Sequence, residues 1–398
     1  MTASCTWRPY DYQQSAPGDA GGCDRTWALR IVGETIVEVS ERSLGGVGER
    51  IVDGEGLTAL PGIIDMHGDM LEREAEPRPN THFPLDLAIY ELDKRLAACG
   101  VTTAYAALSF WQNDRPDSMR TEPMVRALIE TLCQVRDTLL TECHIHARFE
   151  VTTPEIAPFL MEMLTTGEIR LISLMDHTPG QGQYRDVEKY VTSIAQWRGV
   201  DRSHIERELH ERLSRKPNPA DDWLLARDIA TLAAEQGIPI ASHDDDTLAK
   251  IDLVSSLGVS IAEFPVTLEA AQEARQRGMH IVMGAPNVLR GGSHSGNLNA
   301  LAAVEAGLVD LLAADYAPVA MLQAVFIIVE RGLLPLYEAA KLISQGPAEA
   351  LGLHDRGRIE VGKRADLLLA STDGRPRVRA TIRQGTPIYW DATMAGRA

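Results

Sequence analysis

Apolar and polar positions along this chain fall into short regular blocks, and the blocks change character near residue 61 and again near residue 351. Between those points a compact apolar run is followed repeatedly by a segment whose apolar residues recur three and four apart. The runs are GIIDMHGD, VTTAYAAL, HIHARFEV, IRLISLMDH, IPIASHD, GVSIAEFP, HIVMGAPN and VDLLAADY. Each reads as a buried strand, HIHARFEV with more alternation than the rest. Helical periods such as DLAIYELDKRLAACG, PEIAPFLMEMLTTG, TLEAAQEARQRG and NLNALAAVEAG separate them, each stopped by a glycine. Eight strands with helical crossovers imply right-handed βαβ units and therefore an α/β fold, a (β/α)8 TIM-like barrel over 61–351. Residues 179–236 are too long for a simple connection. Their charged, mostly helical sequence is expected as an insertion over the barrel mouth.

The chain ends follow another pattern. TWALRIVGETIVEVS alternates as strands around a turn at Gly33-Glu34, and RGRIEVGKRADLLLA and VRATIRQGTPIYW also read as strands. Residues 1–60 and 352–398 are thus expected to meet in a small β-sandwich domain. The first 25 or so, rich in Gly, Ser and Asp, are expected to be loosely ordered.

Composition narrows the function classes. A chain of 398 residues suits a barrel of ~250 residues with an accessory domain. The most apolar stretch, Val309 to Val329, is interrupted by Asp310, Asp315 and Gln323, so no membrane span is expected. The N-terminus lacks the apolar core of a secretion signal. Five cysteines without a CxxC pair suit reduced thiols and a cytoplasmic location. A net charge of −17 disfavours nucleic acid or an anionic membrane as partner. A polyanionic small molecule would need positive charge gathered locally, and a homo-oligomer stays open.

The strand ends carry the candidate chemistry. His67 and Asp69 share one face of the first strand, since strand period is two. Glu150, His177, His243 and Asp315 end or follow four more strands. A barrel brings such ends around one pocket, and neutral imidazoles with carboxylates suit a divalent cation with an open position. Zn, Mn, Fe and Ni fit such a set alike, as one ion or two. Glu150 could bridge two ions, or be an ordinary charge at a strand exit. Asp244 could orient His243, or belong with Asp245 and Asp246 to a solvated acidic loop. Asp315 suits a ligand that also takes a proton from water, and it could cap the next helix. His144 and His146, at the start of HIHARFEV, read as structural. In GAPNVLRGGSHSGN, Gly291, Gly292 and Gly296 would let backbone N–H groups approach phosphate, Arg290 could clamp it, and Ser293, His294, Ser295 and Asn297 add donors. Arg78 and Lys250 could add charge from other loops.

These residues resemble a known family. The HxD at the first strand, the later histidines, the last-strand Asp and GRIEVGKRADL are similar to the amidohydrolase superfamily. SLMDHTPGQGQ, ASHDDDT, AEFPVTLEAA, MGAPNVLRGGSHSGN and ADYAP resemble one branch of it, the α-D-ribose 1-methylphosphonate 5-triphosphate diphosphatases of the carbon–phosphorus lyase pathway. That branch usually has Thr and Asn around its HxD, where this chain has Gly68 and Met70. The resemblance implies a metal-dependent hydrolase of phosphonate catabolism that cleaves a phosphoanhydride to a 5-phosphate and pyrophosphate. Residue spacing alone supports only hydrolysis of a polar, anionic molecule. The alternatives are C–N bond chemistry on a small polar substrate, as an amidase, deacetylase or deaminase, or a scaffold without catalysis.

Overall fold

The computed structural model of the protein describes residues 2–8, 27–41, 50–78, 81–110, 118–214, 219–292 and 296–397. The N-terminal strands are β1 (Thr2–Arg8), β2 (Trp27–Val32), β3 (Thr35–Ser40) and β4 (Arg50–Pro61). The barrel strands follow: β5 (Ile63–Gly68), β6 (Val101–Phe110), β7 (Glu142–Glu150), β8 (Ile169–Met175), β9 (Ile240–His243), β10 (Ile261–Glu263), β11 (His280–Gly284) and β12 (Leu311–Ala313). They pair in sequence order, every pair parallel.

The ring closes between its first and last strands. Gly68 bridges to Asp315, the Asp315 N–H bonds the His67 carbonyl at 2.8 Å, and the Asp69 N–H bonds the Asp315 carbonyl at 2.9 Å. Beneath this seam the buried Asp65 accepts from the N–H groups of His67 (3.2 Å) and Ala314 (2.9 Å). A Cβ at Gly68 would stand 2.8 Å from the Asp65 carboxylate, which accounts for glycine inside the HxD.

Residues pointing into the barrel form a core of their own, including Ile64, Met66, Leu171, Ile261, Val282 and Leu311. Ala348, Ala350 and Leu351 plug its lower end. Outside, the apolar stripes of the crossover helices pack on the strands, with Leu92, Leu96, Leu128, Leu132, Leu160 and Val325 all buried. Burial of each such side chain contributes roughly 1.5–3 kcal/mol. Helix Pro219–Glu235 puts Ala226, Ile229, Ala230 and Ala233 into that same core. Helices Val187–Arg198 and Arg202–Ser214 instead pack on each other through Val191, Ala195, Ile205 and Leu209.

The chain ends meet in one seven-stranded sheet. The last strands are β13 (Leu367–Ser371), β14 (Arg377–Arg383) and β15 (Thr386–Trp390), and the order is β15-β14-β13-β4-β1-β2-β3. The sheet curls until Ile36 in β3 bonds Lys363 and Gly362 at 2.9 and 2.8 Å, enclosing Leu29, Ile36, Leu57, Leu367 and Ile382 between facing layers. β1 joins it parallel to β4, so residues 2–8 are a strand. RGRIEVGKRAD, expected as a strand, runs as turns up to Leu367. Its arginines explain this: Arg356 and Arg364 reach under the barrel to Glu142 and Thr103.

Candidate metal centre and anion cavity

Three non-glycine residues at the exits of barrel strands adopt left-handed backbone: Asp244 (φ 58°), Phe264 (φ 56°) and Asp315 (φ 54°). Each N–H bonds the neighbouring strand, on Glu263, Val282 and His67 respectively. Such conformations cost energy and persist where surrounding bonds over-determine them. Here they turn three side chains over the mouth of the barrel. All three line a cavity of about 600 Å³ at that end, with His67, Asp69, His177 and His243.

Below the cavity floor the sequence expectation needs two additions, Glu263 and His146. Glu263 ends β10, is fully buried, and places its two carboxylate oxygens 3.2 Å from His67 Nδ1 and 3.1 Å from His243 Nδ1. Ser173 donates to it at 2.5 Å, and His146 Nε2 lies 2.6 Å from the Ser173 hydroxyl. His146, read from sequence as structural, is therefore part of the cluster, its ring 5.0 Å from that of His67. Burial pushes its imidazole down to about 3, against the pull of Glu263. Burial works against the Glu263 carboxylate too, yet His146, His67 and His243 hold it well below the usual carboxylate range. An ionised Glu263 only accepts, so it fixes Nδ1–H on both partners, and in the neutral imidazoles the lone pair then lies on Nε2.

His177 is held differently. Its Nδ1 lies 2.7 Å from Glu150, and its Nε2 lies 3.7 Å from Asp244. Burial lowers an imidazole's pKa, but Asp244 and Glu150 outweigh it and raise His177 to about 9. Glu150, expected among the ligands, stands behind His177 and receives Thr152 on its other oxygen at 2.7 Å. His243 Nε2 lies 3.5 Å from Asp244. Burial, with Asp69 adding to it, pushes the Asp315 carboxyl up, against His67 and Arg148.

Two groups bring possible ligand atoms together: His67, His243 and Glu263, where Glu263 already accepts from both rings, and His177, His243 and Asp244, which stays open to a cation. The ligand atoms of each lie within 4.8 Å of one another. One oxygen of Asp69 is buried without a donor among the described residues, as suits a carboxylate meant for a cation. Imidazoles and carboxylates gathered at a barrel mouth thus fit a divalent metal.

The positive charge demanded by an acidic protein is present, mostly where sequence reading did not look. Arg73, Arg120, Arg148 and Arg290 all line the cavity. Arg73 sits on the short helix Met70–Ala75 after β5, Arg120 in the connection after β6, and Arg148 within β7, with Nη2 3.4 Å from His243 Nε2. Arg290 ends helix Ala285–Arg290, which replaces the first part of the expected glycine loop, and Gly291 (φ 74°) stops it. Gly292 and Asn297 also line the cavity, whereas Ser293 and His294 lie outside the described residues. The two remaining expected cations are elsewhere. Arg78 is exposed in a turn with Thr81, and Lys250 is drawn 3.7 Å over the Trp223 ring and 3.8 Å from Asp176.

Comparison with known proteins agrees with this architecture. The family profile described as "Amidohydrolase family" matches residues 304–389. The alpha-D-ribose 1-methylphosphonate 5-triphosphate diphosphatase of Escherichia coli (strain K12) is 37% identical over 352 residues, covering 85% of this chain and 90% of that protein. Among solved structures, a prolidase complexed with N-methylphosphonate-L-proline superposes with a TM-score of 0.64 at 16% identity, covering 98% of this chain and 100% of that one. N-isopropylammelide isopropylaminohydrolase from Burkholderia multivorans does so with 0.63 at 16%, over 97% of each chain, and likeness at this level speaks for the fold alone. Barrel, curled sheet and relative together place the chain in the amidohydrolase superfamily, in the family of the alpha-D-ribose 1-methylphosphonate 5-triphosphate diphosphatase.

Proposed function

We propose that this protein uses a divalent cation to hydrolyse alpha-D-ribose 1-methylphosphonate 5-triphosphate to the 5-phosphate and pyrophosphate. The observation that carries the reading is four arginines on one cavity of a chain with net charge −17, grouped around imidazoles and carboxylates. A neutral amide or heterocycle gives no use for four guanidiniums, whereas a triphosphate that also carries a phosphonate does. His67, His177 and His243 with Asp69, Asp244 and Asp315 would hold the cation, Glu263 and Glu150 orienting the imidazoles from behind. When bound, such a cation supplies Lewis-acid polarisation of the phosphoryl group and acidifies the attacking water.

The chain's own residues divide the remaining work. The arginines neutralise and align the anionic groups of the substrate so that the phosphorus next to ribose O5′ faces the histidine cluster. Asp315 takes one proton from the attacking water while a new O–P bond forms. The bond from that phosphorus to the bridging oxygen breaks, and pyrophosphate leaves with the electron pair. Pyrophosphate needs no proton to leave, so the base half of acid–base catalysis dominates.

The test is pyrophosphate release from the methylphosphonate triphosphate by protein of measured metal content. Activity is expected to disappear on chelation and return with a divalent ion. Asp315→Asn should keep its fold and lose turnover by roughly 10²-fold or more, the range for a positioned proton acceptor. Release of inorganic phosphate instead of pyrophosphate, or wild-type turnover in the variant, would refute the scheme.

A further inference from the structure

We infer that the cavity is bipolar: the pyrophosphate part of the substrate lies against Arg73, Arg120 and Arg148, and Arg290 receives the methylphosphonate end. This rests on the functional reading above, which supplies a molecule with a multiply charged end and a singly charged one. Placement around the ring carries the inference. Arg73, Arg120 and Arg148 come from β5, β6 and β7 or the connections after them, whereas Arg290 follows β11. On the ring β6 and β11 stand nearly opposite, with β12 and β5 between them one way and β7 to β10 the other. His177, His243 and Asp315 follow or end β8, β9 and β12, between the two poles on either side, while His67 ends β5 beside the first.

Charge matching sets the orientation. Three guanidiniums face one pole, Arg120 sharing its charge with Glu72, and one faces the other, so the polyanionic end is still better satisfied at the first. That pole is also the more rigid. The Glu72 carboxylate, 8% exposed, receives the Ser109 N–H at 2.9 Å and Arg120 Nε at 2.8 Å, so Arg120 is fixed before any ligand arrives. A guanidinium held by a carboxylate loses less freedom when it grips phosphate. Arg148 stands near the end of a barrel strand, and its contact with His243 joins this pole to the cluster. Arg290 ends a short helix and is exposed, and among the described residues of its loop those that share the cavity wall with it, Gly292 and Asn297, are neutral. That is a setting for one negative charge.

The experiment uses metal-loaded enzyme in two measurements. Calorimetric titration with inorganic pyrophosphate should show binding to wild type. It should weaken about tenfold or more in Arg73→Met and in Arg120→Lys, since a charge-assisted hydrogen bond contributes about 1.5–3 kcal/mol. Arg290→Met should hold pyrophosphate as wild type does. Kinetics then compare kcat/KM for the methylphosphonate triphosphate and for ribose 5-triphosphate, which lacks that end. Wild type and Arg73→Met should share one preference ratio, and Arg290→Met should lose most of it. Arg73 is exposed, so its variant keeps the fold even if removing the Glu72 partner harms Arg120→Lys. Loss of pyrophosphate affinity in Arg290→Met with retention in Arg73→Met, equal loss in both, or no binding to wild type would each overturn the inference. A wild-type enzyme that binds pyrophosphate at the Arg73 pole yet releases none from either triphosphate would refute the functional reading alone.

Discussion

Glu263 is one carboxylate that settles the protonation of two imidazoles. With oxygens at 3.2 and 3.1 Å from the Nδ1 atoms of His67 and His243, it leaves both Nε2 atoms able to bind a cation. Replacing it with glutamine keeps the shape and takes away the symmetry. The amide oxygen can still accept from one ring, but the amide nitrogen must donate to the other, whose Nδ1 then carries the lone pair and whose Nε2 carries the hydrogen. Glu263→Gln should therefore fold normally and bind its metal about 10–100-fold more weakly, the range for a lost partner of a metal-binding histidine. Competition for the metal against a chelator of known affinity measures this. An unchanged metal affinity would remove Glu263 from the centre and leave it a buried polar core residue.

At the scale of elements, everything turns on the seam between β5 and β12, because it sets where His67, Asp69 and Asp315 meet. Asp65 accepts one N–H from each side of that seam in a fully buried position. Asp65→Ala leaves two buried amides unsatisfied at about 1–3 kcal/mol each, so a loss of roughly 2–6 kcal/mol in urea unfolding is expected. A loss below 1 kcal/mol would mean that the ladder alone closes the ring. The strands themselves were legible in the sequence, since a strand buried on both faces is a largely apolar run, and residues of ligand type end several of these runs or directly follow them. His67, His177, His243 and Asp315 were found that way. Glu263 escaped because it ends a run in the same manner but was passed over as part of the strand, and His146 because position within HIHARFEV does not reveal which rings meet beneath the floor. Arg73, Arg120 and Arg148 carry no signal of shared position: they lie on a one-turn-and-a-half helix, in a connection and near the end of a strand, and no sequence spacing links the three. The glycine-rich segment carries the one compositional signal for phosphate, and helix Ala285–Arg290 forms its start.

At the scale of the whole molecule, the barrel and the curled sheet are tied together opposite the cavity by a compact ion network. Glu142, at the start of β7, receives Arg356 at 2.7 Å, Arg364, and His144 at 3.0 Å. Asp355 and Asp366 bind the same two arginines, and Thr103 of β6 takes Arg356 at 3.0 Å. Burial by itself would raise the Glu142 carboxyl, but His144 and the two guanidiniums hold it far below its ordinary range. A carboxyl depressed on folding stabilises the folded state fully above its unfolded pKa of about 4.3, and that contribution disappears as pH falls through the folded value. Glu142→Gln removes the titration and leaves Arg356 and Arg364 to Asp355 and Asp366. At neutral pH the variant should unfold at lower temperature than wild type. As pH drops below about 5, the wild-type Tm should fall more steeply and the two curves converge, because acid takes from wild type what the substitution has already taken. Turnover at neutral pH and moderate temperature should change little, since none of these groups lines the cavity. Curves of Tm against pH that stay parallel from neutrality to pH 3 would show that Glu142 does not couple the two parts, whatever its distances to the arginines.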